Sequence, residues 1–68
     1  MLELLTKREM EVLKLLAEGL SDKEIAKELN IQVSTSHAHV HHILLKLKVV
    51  SRLVAAIIYD QERQIGQK

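Results

Sequence analysis

Two four-residue motifs constrain what this chain can fold into. "TKRE" at Thr6–Glu9 and "SDKE" at Ser21–Glu24 each set a hydroxyl three residues ahead of a glutamate. In that arrangement the hydroxyl accepts from the backbone amide three residues on, and the carboxylate reaches back to the first residue's own amide. Two of the donors that every helix start leaves unpaired are thereby satisfied. Both motifs therefore open helices. The first helix carries Val12, Leu13, Leu16, Ala17 and Leu20 at helical spacing, with Gly19 as its stop. The second carries Ile25, Ala26 and Leu29 on one face and ends at Asn30, a residue that tolerates left-handed backbone. It is about two turns long and is followed by a turn of about four residues. Short helix, tight turn, next helix is a helix-turn-helix skeleton.

The rest of the chain keeps the same period. There is no proline, there are only two glycines, 47% of residues are apolar, and no stretch alternates as a half-buried strand does. A third helix puts Ser36, Val40, Ile43, Leu44 and Leu47 on one face, and Ser51 caps a fourth. The expected fold is all-α, a single domain over residues 1–68 with helices at about 7–18, 22–29, 34–48 and 52–62. In the fourth helix, Leu53, Val54, Ile57 and Ile58 are expected to pack on the core. That leaves Ala55, Ala56 and Tyr59 outside, where small residues let a second copy approach closely in a two-fold dimer. The polar tail "QERQIGQK" is expected to fray.

Composition removes several function classes. Ten Lys and Arg against nine Asp and Glu give a net charge of +1, so any role with nucleic acid must come from local placement of charge. Tyr59 is the one aromatic residue, too little for stacking on unpaired bases. With no cysteine there is no disulfide framework and no thiolate metal site. The longest apolar run, Leu53 to Tyr59, is far short of the roughly 20 residues that span a bilayer. No basic segment followed by an apolar stretch marks a leader at the N-terminus. A cytoplasmic protein without membrane, cofactor or small-molecule substrate is the expectation. No nucleophile–base–orienter set or carboxylate pair appears, and a chain this short has little room for a pocket, so an enzyme is not expected.

All four histidines lie within "SHAHVHHI", Ser36 to Ile43. On a helix His37 and His41 are neighbours one turn apart, His39 lies on the opposite flank and His42 on the outer side. The four cannot converge, and two imidazoles leave a tetrahedral site half empty, so no metal site is expected. His39 reads as a half-buried structural residue and His42 as exposed. For His37 and His41 the alternatives are contact with a nucleic acid and plain solvated surface.

"LTKREMEVLKLLAEGLSDKEIAKELNI", followed by "HV", "KL" and "SR", resembles the C-terminal DNA-binding domain of LuxR/GerE-type regulators. "KLKVVSRLVAAIIYDQER" is similar to the nitrate-type (NarL/FixJ) response regulators within that family. The likeness runs from about Leu4 to Arg63. It implies a transcription regulator that binds double-stranded DNA, with the third helix, Ser34–Leu47, in the major groove and the second across the backbone. It also implies a homodimer through the fourth helix. On this resemblance the DNA-binding residues are Ser21, Lys23, Ser34, Thr35, His37, Ala38, His41, Lys46 and Arg52, and the dimer residues are Ala55, Ala56 and Tyr59. A receiver domain usually precedes this one in such regulators and is not part of this sequence.

This sequence departs from the family pattern in its third helix. Gln32 stands where a Ser or Thr cap is common, so the helix is expected to start at Ser34 instead. Ser36 replaces a core Val, and His37, His41 and Leu45 stand at positions often basic or polar. These departures motivate an alternative: a helix-turn-helix domain with weakened DNA binding that acts through protein–protein contact.

Overall fold

The computed structural model describes residues 1–66, with side chains to Arg63. After a single 3-10 turn at Leu2–Leu4 come α1 (Lys7–Ala17), α2 (Asp22–Leu29), α3 (Val33–Leu47) and α4 (Arg52–Gly66). The fold is all-α, the four-helix helix-turn-helix architecture.

Both capping boxes are formed. The Glu9 amide donates to Thr6 Oγ1 at 3.1 Å and the Thr6 amide to Glu9 Oε1 at 2.9 Å. At α2 the Glu24 amide donates to Ser21 Oγ at 3.2 Å and the Ser21 amide to Glu24 Oε1 at 2.8 Å. The ends are set by left-handed residues: Gly19 (φ +93°) after α1, Asn30 (φ 56°) after α2 and Lys48 (φ 58°) after α3. After each, the chain turns back on its own helix, with amides of Leu20, Ile31 and Val49 donating to the carbonyls of Leu15, Ala26 and Leu44. At Gly19 a side chain would be strained by φ alone, since nothing crowds the space a Cβ would fill.

The core is one cluster drawn from all four helices, centred on Val12, Leu13, Ile25, Ile43, Leu47 and Ala55. α1 packs on α3 and α4, and α2 on α3. The apolar stripe of α3 goes inward through Ser36, Val40, Ile43 and Leu47, which leaves the opposite side of that helix uncovered.

Three expectations are corrected. First, α3 begins at Val33 rather than Ser34; Gln32 takes the cap position in extended conformation, although its side chain makes no cap hydrogen bond. Second, α4 runs to Gly66, past residue 62, so most of the polar tail is helical; Gln67 and Lys68 lie outside the described residues. Third, α4 is rotated so that, of the four residues expected on the core, only Ile58 packs against it. Ala55 and Tyr59 are buried and Ala56 is half-buried, whereas Leu53, Val54 and Ile57 face outward. The helix rotation follows from its polar anchors. Arg52 donates to Asp22 and to the Leu20 carbonyl, and Glu62 accepts from the Leu2 amide at 3.3 Å. Positions 52, 55, 59 and 62 form one helical stripe, so fixing both ends of it turns Ala55 and Tyr59 into the core. Ala55 and Tyr59 are thus not available as a dimer surface.

Candidate nucleic-acid interface

The uncovered side of α3 is a contiguous surface made by Val33, Ser34, Thr35, His37, Ala38, His41, His42 and Leu45, all exposed. It holds no Lys or Arg before Lys46, so its charge depends on histidines. His41 and His42 have ring centroids 6.3 Å apart. His39 is half-buried, while the side chain of His37 is 76% exposed.

His37 is tethered nonetheless. Its Nδ1 lies 3.0 Å from Asp22 Oδ2, and Arg52 Nη1 donates to the other carboxylate oxygen at 2.9 Å. Arg52 Nη2 donates to the Leu20 carbonyl at 3.1 Å. Asp22 therefore joins the starts of α2 and α4 to the second turn of α3. Partial burial pushes its carboxyl up, but the bonds from His37 and Arg52 outweigh that and hold it below the usual aspartate value. It is ionised at neutral pH.

A second polar joint sits at the far end of α3. Lys46 Nζ donates to Glu9 Oε1 at 2.7 Å, and Glu9 is buried while also closing the α1 capping box. Burial raises the Glu9 carboxyl, and the Lys46 bond together with the Thr6 amide brings it net below its usual value. One carboxylate thus caps α1 and ties it to α3.

The structure brings Ser21, Lys23, His37 and Arg52 to one neighbourhood around the start of α2, through Asp22. Ser34, Thr35, Ala38 and His41 share the open side of α3 with His37. Lys46 stands apart at the Glu9 joint. Sequence reasoning missed Asp22 and the second task of Glu9. An acid in a first helical turn reads as a partner of the helix dipole, and nothing local reveals partners 15 or 30 residues away. Ser36 lies on the inner face, as its period predicts, and its hydroxyl is fully buried with no hydrogen-bond partner among the described residues. No three His, Asp or Glu side chains converge among the described residues. No helix among them is long and apolar enough to cross a membrane.

The family model "Bacterial regulatory proteins, luxR family" matches residues 3–59. The chain belongs to that family. Its relatives include the nitrate/nitrite response regulator proteins NarL and NarP of Escherichia coli K12, 51% and 49% identical over 59 residues. Each alignment covers 87% of this chain and 27% of the relative. The transcriptional regulatory protein LiaR of Bacillus subtilis is 51% identical over 55 residues, 81% of this chain and 26% of LiaR. The chain thus spans about a quarter of the length of these relatives. The luxR-family helix-turn-helix is a DNA-binding module of transcription regulators, and here α2, the Asn30 turn and α3 form it.

Proposed function

We propose that this domain binds double-stranded DNA in the cytoplasm as the DNA-binding unit of a response-regulator type of transcription regulator. α3, over Ser34–Leu47, lies in the major groove, with Thr35, His37, Ala38 and His41 toward the base edges. The observation that carries the reading is the open side of α3, backed by a buried stripe and set behind α2 in a luxR-family helix-turn-helix. Ser21, Lys23 and Ser34 meet phosphates near the starts of α2 and α3. Arg52 and Lys46 are cations already oriented by Asp22 and Glu9, with donors left over for phosphate oxygens. Their tethering reduces the side-chain entropy lost on binding.

The domain works as a homodimer through α4. The dimer face is the outward stripe Leu53, Val54 and Ile57, of which Leu53 is 68% exposed. Two such domains read an inverted repeat, whose spacing reflects the two-fold axis. Selection of bound duplexes from a random pool at low salt tests this: an enriched inverted repeat is expected, and a pool with no enrichment contradicts the proposal.

One observation favours a second reading, a domain that acts through protein contact. Leu45 is 63% exposed on α3, and Val50 beyond its end is almost wholly exposed. Apolar side chains there gain nothing from phosphate and suit a protein partner. The Leu45 variant described in the Discussion separates the two readings.

A further inference from the structure

His37 is held by a carboxylate that is itself held. An ionised carboxylate only accepts hydrogen bonds, so the His37 nitrogen facing Asp22 carries a proton. In neutral imidazole the proton then resides on Nδ1 and the other ring nitrogen is an acceptor. Nε2 has no partner among the described residues, and the side chain is mostly exposed on the open side of α3. The groups around the ring are few. Asp22 faces it from α2 and Arg52 stands behind Asp22 from α4. His41 follows one turn along α3, and the Lys46–Glu9 joint lies at the far end of that helix, about 13 Å along the axis.

We infer that Asp22 is a positioning residue that sets the base preference of His37: by accepting the hydrogen bond of Nδ1–H it holds the proton there and leaves Nε2 as an outward-facing acceptor. The inference rests on the proposal that α3 lies in the major groove. There the base-edge donors are the exocyclic amino groups of adenine and cytosine, whereas guanine offers only acceptors. With neutral His37 the domain therefore favours adenine or cytosine at one position per half-site. Protonation turns Nε2 into a donor and moves the preference from cytosine, which offers only a donor, to guanine or thymine, which offer only acceptors; adenine, with both, suits either form.

Asp22→Asn inverts the tautomer at constant pH. The Arg52 guanidinium only donates, so it orients the amide oxygen of the new side chain toward itself. The amide NH2 is then left to face His37 and donates to Nδ1, which must become the acceptor. Nε2 carries the proton and reads the acceptors of guanine or thymine.

The test compares wild type with Asp22→Asn at pH 8. Imidazole 15N NMR of the free proteins is expected to show the Nδ1–H form of His37 in wild type and the Nε2–H form in the variant. Duplex selection is expected to show one position at which cytosine is disfavoured and guanine or thymine favoured in the variant relative to wild type, by about five-fold in relative affinity, the worth of one neutral hydrogen bond. In a His37→Gln background Asp22→Asn is expected to leave base preference unchanged. If Asp22→Asn does not fold, the wild-type tautomer of His37 and the base preference of His37→Gln against wild type, both at pH 8, decide. An Nε2–H tautomer in wild type overturns the inference, as does the same base preference in wild type and Asp22→Asn. Absence of binding to every duplex overturns the DNA proposal and this inference with it, whereas binding with base preference indifferent to Asp22 overturns the inference alone.

Discussion

Ser36→Ala is expected to stabilise the domain. The residue is fully buried on the inner face of α3, yet its hydroxyl has no partner among the described residues. Burying an uncompensated hydroxyl costs about 1–3 kcal/mol by mutational data. Alanine removes that cost and gains roughly 0.5 kcal/mol of helix propensity. Loss of one buried oxygen's contacts offsets part of the gain, which leaves about 1.5 kcal/mol of added stability. In a domain of this size 1 kcal/mol moves Tm by about 4–8 °C, so Ser36→Ala should raise Tm by about 6–12 °C. Circular dichroism melts measure it, with Ser34→Ala as control. Ser34 is exposed on the same helix, so its variant reports propensity alone. The competing possibility is a bond from the hydroxyl back to the Gln32 carbonyl, which already accepts the Ser36 amide at 3.0 Å. A Ser36→Ala Tm at or below that of Ser34→Ala would refute the reasoning and point to that bond.

Three further outcomes follow from the polar joints and the apolar surface. Glu9 and Asp22 have folded-state pKa values below their ordinary ones, so the unfolded chain binds more protons. Their contribution is full above about pH 4.3 and is lost as pH falls through the folded values. Tm is therefore expected to drop between pH 5 and 3, and to drop less in Glu9→Gln, as scanning calorimetry can check. Leu45→Lys should steepen the salt dependence of DNA binding by about 0.9 in log–log slope per site, by adding a phosphate partner. Stronger DNA binding by that variant in anisotropy titrations together with loss of a protein complex favours the protein-contact reading. Ile57→Asp should dissociate the proposed dimer in sedimentation velocity while changing monomer stability by about 0.5 kcal/mol or less, because Ile57 faces outward.

The parts of this fold legible in the sequence are those written locally. Thr6 with Glu9 and Ser21 with Glu24 fix two helix starts because both partners lie within one turn. Gly19 and Asn30 mark the stops because left-handed backbone restricts residue type. The orientation of α4 was not legible. Leu53, Val54, Ile57 and Ile58 make as good an apolar stripe as the face that is buried, and hydrophobicity alone selects them. What decides is Arg52 bonded to Asp22, a pairing across 30 residues that no local pattern contains. The same holds for the candidate site. Its helix and its exposed histidines follow from period, whereas the tether between His37 and Asp22 exists only once α2 and α3 cross. Gln32 shows a further limit: tertiary packing starts α3 at Val33 even without a side-chain cap.

The central claim, that the open side of α3 and the cations flanking it bind duplex DNA, is tested most directly by titrating a selected duplex between 50 and 200 mM salt. With Lys23, Lys46 and Arg52 each neutralising a phosphate in a dimer, the account predicts a log–log slope of about −5. Lys23→Ala is predicted to flatten it by about 0.9 per domain. Binding that is absent at 50 mM salt, or present but indifferent to salt, contradicts the account.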